Sequence, residues 1–155
     1  MDTKIDFKNP EFYENRELSW IKFDNRVLSE ARDKSIPLLE RLKFVSITSS
    51  NLDEFFMVRV ASLLDMVHAN YKKRDIAGMT ATEQLAAINK ETRELVDTQY
   101  STYTRSLVPL LNKEGIYLVD EHETLTDEQA AFVDRYFMES VYPVLTPMAV
   151  DASRP

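Results

Sequence analysis

Glycine occurs only twice in the 155 residues, at Gly78 and Gly115, far apart in the chain. A P-loop requires two glycines five positions apart ahead of its lysine, and a dinucleotide-binding turn requires three glycines close together. Neither arrangement exists here, so the two commonest glycine-cradle folds are excluded. Any contact with a nucleotide must be made without a glycine-rich loop from these residues.

The rest of the composition permits an ordinary globular chain: 44% hydrophobic and 29% charged. A chain of this length can bury roughly 70% of its unfolded surface, enough for a core without staples. It has no cysteine, which removes disulfides, thiolate zinc sites and cysteine nucleophiles together and suits a reducing, cytosolic setting. Met1–Asp6 carries acids where a signal peptide has an apolar run. The most apolar stretch, Phe55 to Val67, is interrupted by Arg59 and Asp65, so no transmembrane segment is expected. The net charge of −7 is concentrated between Glu114 and Glu139, where eight acids face Arg135 alone. A solvated acidic face is the plain reading of that run, and it argues against nucleic acid as a partner.

Hydrophobic periodicity points to helices. Residues to about Asn15 read as irregular, and a first helix runs from near Leu18 to Ala31, with Trp20 in the core. Ser35 is placed to cap a second helix whose early positions accept Pro37 and which ends within Thr48–Ser50. Asn51, with Glu54 three residues on, reads as the N-cap of a third helix with apolar positions 52, 56, 60, 63 and 67. After a polar loop, Thr80-x-x-Glu83 opens a long helix that Pro109 kinks or breaks and Gly115 stops. Ile116–Val119 favours strand, and Thr126-x-x-Gln129 caps another helix through Val141. Tyr142–Asp151, with two prolines four apart, reads as extended. The expected fold is mainly α: an antiparallel helical bundle over residues 1–108, then the truncated start of an α/β head domain over 109–155.

Few residues qualify for chemistry. His68 and His122 lack a second histidine at metal-ligand spacing. No G-x-S-x-G elbow supports a hydrolase. Asp53 and Glu54 are accounted for by the helix start, and Lys72-Lys73-Arg74 by a solvated loop. No catalytic residue and no metal ligand is therefore assigned. Asn51 stands out, because an N-cap uses its side-chain oxygen and leaves the amide NH₂ free to donate.

Several stretches resemble a known family. Glu17-Leu-Ser-Trp-Ile-Lys-Phe-Asp-Asn-Arg-Val-Leu-Ser-Glu-Ala31, Pro37-Leu-Leu-Glu-Arg-Leu-Lys-Phe44, Ser49-Ser-Asn-Leu-Asp-Glu-Phe-Phe56 and Val58-Arg-Val-Ala61 resemble, in that order, the opening of bacterial polyphosphate kinases. Pro143-Val-Leu-Thr-Pro-Met-Ala-Val-Asp151 is similar to the start of the family's next domain. Asp24-Asn25 departs from the family's common Asn-Glu pair and Met57 from a frequent polar residue, neither on a position carried over.

The resemblance implies a parent enzyme several times longer that moves the terminal phosphate of ATP reversibly to inorganic polyphosphate. It uses a phosphohistidine and Mg2+, both in C-terminal domains outside these residues. It implies ATP and polyphosphate as partners through that parent, a homo-oligomer, and a cytoplasmic location with room for a peripheral seat at the inner membrane. Asn51 matches the family's ATP-binding asparagine, and Phe44 an aromatic near the adenine. The fragment alone is expected to be inactive. The alternative is a helical packing or dimerisation module without ligand contact.

Overall fold

The computed structural model describes residues 6–148 and 150, and every regular element among them is helical. The mainly α expectation holds. The chain divides into two compact units, Met1–Ile116 and Tyr117–Pro155.

In the first unit, helix α1 spans Arg16–Arg32. It starts two residues earlier than the apolar pattern suggests because Asn15 caps it. The Asn15 Oδ1 accepts from the backbone N–H groups of Glu17 and Leu18, each at 3.0 Å. Its Nδ2 donates to Asp75 at 2.6 Å, tying the helix start to the loop ahead of α4. The buried stripe of α1 is Ile21, Asp24, Leu28 and Ala31.

The expected corner at Thr48–Asn51 does not exist. Helix α2 spans Leu38–Glu54, passes through a π-helical segment at Phe55–Val60 and continues as α3, Ala61–His68. The run Thr-Ser-Ser holds no glycine or proline. Buried Thr48 donates its hydroxyl to the carbonyl of Phe44 at 2.9 Å, which satisfies it within the helix. Asn51 is thus a mid-helix residue and caps nothing. The π segment also explains why the buried positions are Leu52, Phe55, Val60 and Leu63, while Phe56 is exposed. The step of five from Phe55 to Val60 matches the wider i→i+5 turn. Half-buried Trp20 stacks on Phe55, ring centroids 4.4 Å apart and planes 7° from parallel.

Ser35 does not cap α2 either. Asp33 Oδ1 accepts from both the backbone N–H and the hydroxyl of Ser35, each at 2.8 Å, and holds that side chain in the turn. These bonds hold the Asp33 carboxyl below its usual range, the backbone bond most.

Helix α4, Ala81–Thr102, opens with the expected capping box: the Thr80 N–H donates to Glu83 at 2.7 Å, and the Glu83 N–H to Thr80 Oγ1 at 3.3 Å. A π segment at Tyr103–Leu107 leads into α5, Val108–Lys113, so Pro109 widens the preceding turn without ending the helix. Gly115, at φ 78°, ends α5. The N–H groups of Gly115 and Ile116 return to the carbonyls of Asn112 and Leu111, a Schellman closure that needs a left-handed residue. Since Leu111 is buried, the stretch from residue 109 packs with the first unit, and the division falls after Ile116. α1 packs on α2 and α4, and α3 on α4. Ile21, Leu28, Leu52, Phe55, Ile88 and Leu95 fill the seam, each contributing about 1.5–3 kcal/mol by its burial.

In the second unit, α6 spans Asp127–Tyr136 behind a Thr126–Gln129 capping box, followed by a π turn at Phe137–Val141 and a 3-10 turn at Tyr142–Val144. Among the described residues there is no strand: Tyr117–Val119 pairs with nothing in a ladder. Tyr142–Val144 is a turn where extended chain was expected, since Pro143 sits early in it, whereas Leu145 is extended. Asp151 lies outside the described residues. No described residue of this unit is buried.

Candidate functional site

The Asn51 side chain lies where α2 crosses α1, and its Nδ2 donates to Asp24 Oδ1 at 2.7 Å. Asp24 is 0% exposed, and its Oδ2 has no hydrogen-bond partner among the described residues. Burial pushes the Asp24 carboxyl above the usual aspartate range, and the Asn51 bond pulls it partly back. One N–H of Asn51 is therefore committed. Its second N–H and its Oδ1 have no partner among the described residues, and the residue is half-buried rather than sealed.

Phe44 lies seven residues before Asn51, on the same face of α2 and about 10 Å away along the axis. It is half-buried and packs against the core. On the other side of α2, buried Gln99 from α4 donates to the Val45 carbonyl at 3.0 Å and to Ser49 at 2.6 Å. The helix carrying Asn51 is thus pinned by side chains from α1 and from α4. The arrangement offers a fixed amide donor and acceptor beside an aromatic face. It offers no nucleophile.

Asp24 belongs to this arrangement, although no motif in the sequence points to it. It contacts Asn51 directly. A signal existed in the spacing: Ile21, Asp24, Leu28 and Ala31 recur at helical intervals, which puts an acid on the apolar stripe.

The other candidates have ordinary roles. His68 is exposed at the end of α3. His122 Nε2 lies 3.0 Å from Asp134 in the second unit. Arg74 clamps its own loop by donating to the Gly78 carbonyl and to Glu83. Asp53 and Glu54 are exposed. Among the described residues no group of three metal-ligating side chains could hold an ion. No helix among them is long and apolar enough to cross a membrane.

The model of the polyphosphate kinase N-terminal domain matches residues 13–119, which contain α1 to α5 with both Phe44 and Asn51. The chain belongs to the polyphosphate kinase family. It is 53% identical over 151 residues to a polyphosphate kinase of Lactiplantibacillus plantarum, covering 97% of this chain and 21% of that one. It is 51% identical over 152 residues to one of Halalkalibacterium halodurans, again covering 97% and 21%. Among solved structures it resembles the polyphosphate kinase of Porphyromonas gingivalis, with a TM-score of 0.75 and 32% identity over 92% of this chain and 20% of that one. The chain therefore spans about a fifth of the length of its polyphosphate kinase relatives.

Proposed function

We propose that this chain is the nucleotide-facing domain of a polyphosphate kinase, presenting Asn51 and Phe44 to the adenine side of ATP. The observation that carries the reading is the half-committed amide. Asp24 holds one Asn51 N–H and so fixes its orientation, while the second N–H and the oxygen remain for a ligand. A purine edge pairs a donor with an acceptor, and a single oriented amide matches both. The exposed Asp53 and Glu54 repel phosphates, which supports contact at the base end.

In this reading, the transfer of the terminal phosphate of ATP to polyphosphate, the phosphohistidine and the Mg2+ belong to further domains of an oligomeric, cytoplasmic parent. Among the described residues no group of three His, Asp or Glu side chains is placed to hold that ion. The same reading makes α1 to α5 an antiparallel bundle and the second unit, from Tyr117, the approach to an α/β head domain.

The test is a kinetic split in a polyphosphate kinase carrying this sequence. Asn51→Ala should raise KM for ATP roughly 3- to 30-fold, or ~0.7–2 kcal/mol, while leaving KM for polyphosphate in the reverse direction unchanged. An unchanged ATP KM in a variant shown to be folded overturns the reading. The 155-residue chain alone should bind ATP only at about millimolar Kd, since one wall supplies a hydrogen bond or two. The competing reading, a packing module, is favoured by the exposed Phe132, Tyr136 and Phe137 of the second unit. It predicts changed assembly with untouched kinetics.

A further inference from the structure

A second feature of the first unit lies apart from Asn51. Between the end of α1, the start of α2 and the α4–π junction lies a cleft of about 510 Å³. Four cationic side chains line it: Arg32, Lys34, Arg41 and Arg105. None of the four forms an ion pair among the described residues, although Lys22, Lys43, Arg59 and Arg74 all do.

Arg41 is the decisive one. It is 5% exposed yet lines the cleft. Its Nε donates to the Ala31 carbonyl at 2.8 Å and one Nη2 hydrogen to Ser106 Oγ at 3.3 Å. Three of the five guanidinium hydrogens have no acceptor among the described residues. The unbonded Nη1 of Arg41 is not sealed from solvent and the residue belongs to the lining of the cleft, so those hydrogens are free to meet an anion there. Ser101 and Ser106 line the same cleft with hydroxyl hydrogens that no described acceptor takes. Two carboxylates temper the field: Asp97 lines the cleft, and Asp33 lies near Arg41 with its Oδ1 engaged by Ser35. The balance remains positive.

We propose that this cleft binds a run of linked phosphate groups, a short stretch of inorganic polyphosphate, as a site separate from the nucleotide wall. Forked guanidinium groups match phosphate oxygens two at a time, and several spread cations suit a chain of phosphates better than a single one. No aromatic side chain lines the cleft, so it offers nothing to a nucleotide base. The choice of polyphosphate among phosphate chains rests on the family reading above.

The test is calorimetric titration of the 155-residue chain with tripolyphosphate, ATP and orthophosphate at matched low ionic strength. Tripolyphosphate should bind more tightly than either of the others. The double variant Lys34→Ala/Arg105→Ala, both exposed positions, should weaken it roughly tenfold or more with an unchanged melting curve. Asn51→Ala should leave it unchanged, which separates this site from the nucleotide wall whichever of the two fails. Equal binding of orthophosphate and tripolyphosphate, or no effect of the double variant, overturns the proposal. So does tighter binding of a poly-glutamate peptide than of tripolyphosphate, which would assign the cleft to an acidic protein segment.

Discussion

Met1–Ile116 and Tyr117–Pro155 open their main helices with the same device. Thr80 and Thr126 each close a reciprocal capping box on a residue three positions on. In the first unit α4 then meets α1 and α3 and buries Ala81, Ile88 and Leu95. In the second, α6 buries nothing among the described residues, and Phe132, Tyr136 and Phe137 face outward. Local signals form the helix, while burial depends on whether a second apolar face arrives to cover it. A sequence can announce the first with a four-residue motif but distributes the second along its whole length.

The largest contrast should come from matched aromatic truncations. Phe55 is 1% exposed and Phe132 59%. Phe55→Ala should cost about 3–5 kcal/mol in urea denaturation, and Phe132→Ala should stay within about 0.5 kcal/mol. Comparable costs would mean that α6 is covered in solution and would erase the distinction between the units.

The next effect belongs to the polar seam of the first unit. Asn51→Asp sets a carboxylate against that of buried Asp24, and should destabilise by about 2–4 kcal/mol at pH 7. One of the pair must hold a proton in the fold, so the loss should shrink as pH falls. A flat pH profile for this variant would show that residue 51 does not sense the Asp24 carboxylate.

Asp24→Asn should act in the opposite direction. The folded carboxyl titrates above its unfolded value of 3.8, so the native charge opposes folding at neutral pH and ceases to do so on acidification. The variant should gain about 0.5–2 kcal/mol at pH 7, and the gain should disappear as pH falls toward 3.8. A gain independent of pH would show that the carboxyl titrates alike in the folded and unfolded chain, and would remove burial as the cause.

The smallest effect compares the two caps. Thr80→Ala should cost about 1 kcal/mol and lower the main thermal transition. Thr126→Ala removes an equivalent cap, yet should lower only the helical circular dichroism, leaving that transition in place.

Much of this was legible in the sequence. Both capping boxes, the stop at Gly115 and the helical class follow from local chemistry. Phe44 and Asn51 are singled out by the order of the family motifs, but their shared helix face is not, because Asn51 reads there as the cap of a separate helix. Two kinds of information were not local. The continuity of α2 through Thr-Ser-Ser depends on tertiary burial of Val45, Thr48 and Leu52 against neighbours. The Asp24–Asn51 bond joins positions on different helices, and no spacing rule within either helix contains it. Arg41 was equally silent, because a lone arginine in an amphipathic helix reads as solvated until the structure buries it.

The π segment at Phe55–Val60 has a consequence for how this fold can change in length. A π turn holds one residue more than the α turn it replaces. Here that extra residue lies between the buried Phe55 and Val60, in the stretch where Phe56, Met57 and Val58 are exposed. Deleting one of those three would close the step from five to four and turn the segment into plain α-helix. Leu52, Phe55, Val60 and Leu63 would keep their places toward the core. The long helix thus carries slack of a single codon, so a one-residue deletion there should leave intact the seam that orients Asn51.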